Sequence, residues 1–184
     1  MDAKIVNLPL TEEAVKNLHM GDRVLLNGTV YTGRDEAHLY ICRMLDSGEA
    51  LPFELKDSVI YYTGPCPAAP GQVIGSAGPT TSGRMDAFSP RLISLGLRGM
   101  IGKGPRKPEV IEAMKEYGCV YFAATGGAGA LLSDSIKEAE VIAFPELGAE
   151  AVYRLRVEGF PCTVAIDCYG MDIYSEGRKE YALK

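Results

Sequence analysis

Two periodicities alternate along this chain, one of about 2 residues and one of about 3.6, and the switches between them mark its elements. Residues 5–8 form a short apolar run. Thr11 then stands as an N-cap before a helix over 12–18, with Glu12 and Glu13 in its first turn. Residues 24–31 place Asn27-Gly28 between two β-favouring runs, which predicts a strand, a two-residue turn and a second strand. Gly33-Arg-Asp-Glu-Ala-His38 is a polar junction into a helix that runs to about Asp46 and stops before Gly48. Within residues 55–63, Val59-Ile-Tyr-Tyr62 is β-branched and aromatic, and predicts a strand delivered into Gly64-Pro65. Residues 72–77 read as a further strand.

Beyond residue 84, Met85, Phe88, Leu92 and Leu95 recur at helical spacing, with Pro90 interrupting them. The favoured reading is a second helix capped by Ser89 with Pro90 at its first position; one kinked helix is the other. An α/β crossover follows: a strand over 97–101, a helix over 108–117 and a strand over 119–124. Val110, Ile111, Met114 and Tyr117 share one face of that helix, Pro108 suits its first turn and Gly118 its C-terminal cap. A right-handed connection is expected. The chain then predicts a short helix over 128–134 and a strand over 139–144. Two more strands close it, 152–157 with Arg154 and Arg156 alternating as on an edge or half-exposed strand, and 160–166 more continuously apolar. The last residues are expected to be loose.

The pattern is α/β, and 184 residues suffice for one well-cored domain, 1–184. No apolar run has the length of a membrane span. Met1-Asp-Ala-Lys-Ile-Val lacks the basic patch and apolar core of a secretory signal, so a cytoplasmic location is expected. A net charge of −5, with basic residues scattered and not interleaved with aromatics, argues against nucleic acid as the main partner. Five cysteines, Cys42, Cys66, Cys119, Cys162 and Cys168, show no CxxC spacing and no paired histidine, so neither a disulfide framework nor a zinc site is expected. Cys119 and Cys162 fit apolar strands. Cys66, in Gly64-Pro-Cys-Pro67, is expected to be exposed.

The candidate chemistry centres on Gly78-Pro-Thr-Thr-Ser-Gly-Arg-Met-Asp86. Its glycines allow close backbone approach, Thr80 and Thr81 offer hydroxyls, and Arg84 offers a planar fork matched to a carboxylate. An ordinary turn and helix N-cap is an equally good reading from these residues alone. Gly102-Lys-Gly104 and Thr125-Gly-Gly-Ala-Gly129 stand where the crossover strands end, the edge at which α/β sheets collect ligands. Lys103 in that setting is a candidate cation, although most loop lysines only keep a protein soluble. The glycine run 125–129 lacks the spacing of either nucleotide-binding fingerprint. Arg34 faces the same junctions, but a surface Arg34–Asp35 pair is its default reading. His38 is expected to be a hydrogen-bonded, partly buried helix residue rather than a catalytic base, and His19 a residue at a helix C-terminus.

Taken in order, Gly33-Arg-Asp-x-Ala-His38, Tyr61-Tyr-x-Gly-Pro65, Gly75-Ser-x-Gly-Pro-Thr-Thr-Ser-Gly-Arg-Met-Asp86, Gly102-Lys-Gly104 and Phe144-Pro-Glu-Leu-Gly-x-Glu-Ala151 resemble the β region of iron–sulfur (class I) fumarate hydratases and L-tartrate dehydratases. The resemblance covers nearly the whole chain. It implies a swivelling β/β/α domain with a mixed or parallel sheet and flanking helices. It also implies a hydro-lyase acting on a small dicarboxylate, fumarate in preference to tartrate. The [4Fe-4S] cluster is then implied to sit on a partner α subunit in a hetero-oligomer such as α2β2, with no metal ligand on this chain and no activity without that partner. Arg34, Thr80, Arg84 and Lys103 are implied to bind substrate, with Thr80 also catalytic. A stand-alone dicarboxylate-binding domain and an inactive scaffold are the competing readings.

Overall fold

The computed structural model describes residues 3–181, so the expectation for the last residues lies outside the described region. Its strands are β1 (Lys4–Asn7), β2 (Arg23–Thr32), β3 (Val59–Tyr61), β4 (Gly99–Gly102), β5 (Val120–Ala123), β6 (Ile136–Ala143) and β7 (Val152–Ile166). Its helices are α1 (Glu12–Lys16), α2 (Asp35–Ser47), α3 (Ser89–Ser94), α4 (Pro108–Tyr117), α5 (Gly129–Ser133) and α6 (Ile173–Tyr181), with 3-10 turns at Ser82–Met85 and Pro145–Glu150. No helix among the described residues is long and apolar enough to cross a membrane.

The strands form one mixed seven-stranded sheet in the order β1-β2-β3-β4-β5-β7-β6. β1 to β5 run parallel to their neighbours, whereas β7 is antiparallel to β5, β6 and β2. The added β2–β7 pairing closes β2-β3-β4-β5-β7 into a five-stranded barrel and leaves β1 and β6 as edges. Period-2 alternation sorts the side chains of these strands onto two faces. Val24, Leu26, Tyr61, Ile101, Phe122, Leu155 and Val164 join Val15 and Leu132 in one buried cluster. Ile60, Met100, Tyr121 and Ile166 meet Ile41, Leu92, Val110 and Met114 of α2, α3 and α4 in another.

Local signals set several boundaries. Thr11 caps α1 by accepting from the Ala14 N–H at 3.1 Å, although that helix stops at Lys16 and His19 falls in the turn beyond it. α4 spans the expected residues, with Pro108 in its first turn and Gly118 left-handed at its C-cap. α2 ends at Gly48, also left-handed.

Other expectations are corrected. Residues 24–31 are not a hairpin: β2 runs unbroken through Asn27-Gly28, where the register against β7 shifts. A Cβ on Gly28 would lie 2.9 Å from Leu8 Cβ and O, so only glycine fits there. Residues 152–157 and 160–166 are one strand, β7, whose first half is the half-exposed strand of the two readings and not an edge, being paired with β2 on one side and β6 on the other. Arg154 and Arg156 alternate because they pair across strands with Glu140 and Glu138. Residues 72–77 form no strand, since their backbone bonds serve a loop: Cys66 N–H donates to Ser76 O and Gly75 N–H to Cys66 O. α3 is a separate helix with Pro90 in its first turn, as favoured, but Phe88 is its cap residue and the Ser89 hydroxyl donates back to Met85 O.

Candidate functional site

The four parallel strands β2 to β5 all deliver their carboxyl ends to one edge, and each candidate residue lies in a loop there. Segment 77–82 is stitched between the ends of β3 and β4. On one side Thr80 N–H donates to Tyr62 O at 2.7 Å, Thr63 Oγ1 to Gly78 O at 2.8 Å and Tyr61 Oη to Ala77 O at 2.6 Å. On the other side Lys103 N–H donates to Thr80 O at 3.3 Å and Ser82 N–H to Lys103 O at 2.9 Å. Thr80 and Lys103 are therefore brought side by side by main-chain bonds, which specify position more tightly than long side chains do. The insertion requires Gly102, where a Cβ would sit 2.0 Å from Ser82 Oγ.

Residues 125–129 close over this segment. Ala77 N–H donates to Gly129 O at 3.1 Å, and a Cβ on Gly126 would lie 3.3 Å from Lys103 Cδ. The glycine run is thus a cover for the Lys103 stem. Among the described residues, Lys103 Nζ forms no ion pair and Thr80 Oγ1 no hydrogen bond, leaving both available to a ligand.

Arg84 leaves the 3-10 turn Ser82–Met85 and donates through Nε to Asp35 Oδ1 at 2.8 Å. Its side chain is 51% exposed. Arg34 is the extended cap residue of α2, its Nη2 lying 3.1 Å from Glu150 Oε1 and 4.0 Å from Asp35 Oδ2. Gly64 makes room for it, since a Cβ there would come 2.9 Å from Arg34 Nη1. The ordinary Arg34–Asp35 pair is thus only the weaker half of what the structure builds, because Asp35 links Arg34 to Arg84.

Beneath these loops lies a buried ion pair that no local sequence signal ties together. Arg106 Nε donates to Asp86 Oδ1 at 2.6 Å with both side chains inaccessible, and Asp86 Oδ2 accepts from the Lys107 N–H. Arg106 also reaches Ser89 Oγ and Met100 Sδ and lies against the rings of Tyr62 and Tyr121. Tyr121 Oη in turn bonds Ser82 Oγ and Gly104 O. The turns bearing Arg84 and Lys103 are thereby anchored to one satisfied polar network.

His38 is fully buried rather than partly so. Its Nδ1–H donates to Arg34 O at 2.8 Å, which leaves Nε2 as a bare nitrogen without a partner among the described residues. Burial, reinforced by the Arg106 charge, lowers its pKa to about 4. Such a histidine stays neutral and serves as a brace for the Arg34 backbone. The sequence paired Arg34 with Asp35, but it pointed neither to Asp35 as a partner of Arg84 nor to Glu150 as a partner of Arg34, although all four residues lie in the quoted motifs.

The cysteines do not fit a cluster. Burial pushes the Cys119 thiol up to about 12 and raises Cys42, Cys162 and Cys168, the opposite of what a thiolate ligand needs. Cys66 is exposed and alone, and the described residues include no cluster of three or more His, Cys, Asp or Glu side chains able to hold a metal.

Residues 1–177 match the family described as Fumarase C-terminus. The chain belongs to that family. It is 46% identical over 177 residues to a protein of Methanocaldococcus jannaschii provisionally named L(+)-tartrate dehydratase subunit beta, covering 93% of this chain and 91% of that one. It is 45% identical over 159 residues to fumarate hydratase 2 of Leishmania major, and 39% identical over 175 residues to the aerobic class I fumarate hydratase of Escherichia coli. The alignments cover 85% and 93% of this chain but only 28% and 32% of those two proteins. A member of the Fumarase C-terminus family can therefore be nearly a whole subunit or about a third of a longer enzyme.

Proposed function

We propose that this chain is the β subunit of an iron–sulfur-dependent hydro-lyase that adds water reversibly to a small dicarboxylate, with fumarate and malate as the preferred pair. The observation that carries this reading is the joint placement of two guanidiniums, one ammonium and one free hydroxyl on a single sheet edge. Two carboxylates call for opposed cationic clamps, and guanidinium forks fix a planar dianion in both position and orientation. Arg34 and Arg84 are assigned that role. The Lys103 ammonium faces the charge that develops on a carboxylate when the adjacent carbon loses a proton. Thr80 donates or relays a hydrogen bond at that carbon, its own pKa being too high for unaided base work.

The cluster that class I enzymes use as a Lewis acid toward substrate oxygens is assigned to a partner α subunit. Half-exposed Arg84 and exposed Lys103 support this, since such cations gain full strength only once another body excludes water from them. On this reading residues 1–184 act as one domain that swivels over the partner in a hetero-oligomer such as α2β2. The M. jannaschii relative, matched along almost its full length, favours a second reading in which the same clamps hold L-tartrate.

Co-purification with a cluster-bearing α chain under anaerobic conditions, followed by a fumarate, malate and tartrate panel, tests the assignment. The chain alone should be inactive and the complex active. Arg84→Ala should lower kcat/KM by about 30-fold or more, because truncating one partner of a charge pair that is buried and hydrogen-bonded in the complex typically costs about 2–5 kcal/mol. Folding should survive, since an exposed pair contributes at most about 1 kcal/mol. Unchanged turnover in that variant would dismiss the clamp.

A further inference from the structure

We infer that Asp35 is a positioning residue that sets the spacing of the two guanidinium clamps, and with it the length of diacid that the site accepts. The inference rests on the functional reading above. It starts from Arg84, whose half-exposed side chain on a surface turn would otherwise sample many rotamers. Among the described residues a single polar contact restrains it: Nε donates to Asp35 Oδ1 at 2.8 Å. A bond to Nε fixes the plane of the guanidinium and leaves Nη1 and Nη2, the outer fork that grips a carboxylate, without a partner among the described residues.

The second oxygen of the same carboxylate faces the other clamp. Asp35 Oδ2 is buried, accepts no hydrogen bond among the described residues and lies 4.0 Å from Arg34 Nη2. Arg34 is further restrained by Glu150 at 3.1 Å and by the bare face of Gly64. One carboxylate, rigidly mounted on the first turn of α2, therefore lies between the two cations and carries their separation. A helix-borne support is stiffer than a loop, and the spacing of paired clamps decides which diacid reaches both.

The test uses the holoenzyme, this chain with its cluster-bearing partner, and competitive inhibition by malonate, succinate and glutarate as a ruler of diacid length. Asp35→Ala should raise KM by about 10-fold while changing kcat by less than about 3-fold, the signature of lost ground-state placement. It should also flatten the preference among the three inhibitors. Asp35→Asn keeps an oxygen acceptor for Arg84 Nε and should recover most of the KM loss, whereas a merely structural or helix-dipole role would not be rescued in this way. Asp35→Glu keeps the charge but moves it by one methylene, and should shift the preferred inhibitor length even if the alanine variant assembles poorly. The double variant Asp35→Ala, Arg84→Ala should lose clearly less than the two single losses combined, because Asp35 acts in large part through Arg84.

Parent-like KM and inhibitor preference in both Asp35→Ala and Asp35→Glu, with Arg84→Ala still defective, would overturn the positioning role alone. If Arg84→Ala is also parent-like, the clamp reading itself falls. Additive losses in the double variant would likewise overturn the inference.

Discussion

His38 shows how a buried side chain can brace the backbone of a candidate residue. It sits one turn into α2, beneath Tyr62 and Phe88, and spends its one donor on the carbonyl of Arg34. Burial disfavours the imidazolium most: protonation would place an N–H at Nε2 with no acceptor among the described residues and in reach of the Arg106 charge, which the bond to Arg34 O and the Asp35 charge only partly offset. Its pKa therefore falls from 6.5 to about 4 in the folded chain. Between those values the unfolded chain binds a proton that the folded chain refuses, so stability is complete above 6.5 and drains as pH falls toward 4. A depression of this size corresponds to a loss on the order of 3 kcal/mol. Urea midpoints at pH 7.5 and pH 4.5 should differ less in His38→Gln, which can still donate to Arg34 O, than in the parent. Parallel profiles for the two proteins would refute the assignment.

At the scale of elements, legibility followed how local the decisive contacts are. α4 was readable to the residue because its start and stop are written into Pro108 and Gly118, whose preferences need no distant partner. Asn27-Gly28 carried an equally local signal, and it did mark an unusual backbone, with Gly28 at φ +126°. What the signal cannot say is who pairs with the flanks. Leu8, the residue after β1, donates its N–H to Asn27 O at 2.8 Å, and β7 supplies Gly159, whose N–H donates to Asn27 Oδ1 at 2.8 Å, so the glycine becomes a bulge in a continuing strand. Gly28→Ala tests this directly. A left-handed alanine pressed on Leu8 should cost about 3 kcal/mol and lower Tm by roughly 10 °C, read by circular dichroism. An unchanged Tm would mean that the close approach to Leu8 does not exist.

Across the whole molecule, the gathering of the candidate loops at one sheet edge was legible and the closure of the sheet was not. Arg34, Thr80, Arg84 and Lys103 could be grouped as candidates because Arg34 and Lys103 follow β2 and β4 directly, Thr80 and Arg84 lie in the long connection between β3 and β4, and strands that run parallel bring such connections to one edge. Asp86 with Arg106, and Arg34 with Glu150, join segments whose nearness depends on the finished fold, and nothing local ties them together. The same holds for β2 with β7, a pairing of residues more than about 100 positions apart that no turn chemistry announces. That pairing has a measurable consequence. β3, β4 and β5 have a neighbour on both sides and lie in the doubly covered wall, whereas β6 is bonded only to β7 and is mostly solvent-facing. Opening β6 together with the Pro145–Glu150 turn leaves the barrel intact, while exposing β4 requires breaking it. Hydrogen exchange resolved by peptide should therefore find residues 99–102 and 120–123 protected close to the limit of global unfolding. Residues 136–150 should exchange at least about 100-fold faster, through a local opening. Equal protection in the two regions would mean that β6 and the Glu150 turn belong to the same cooperative unit as the wall, and that Arg34 is held by a support as rigid as the barrel itself.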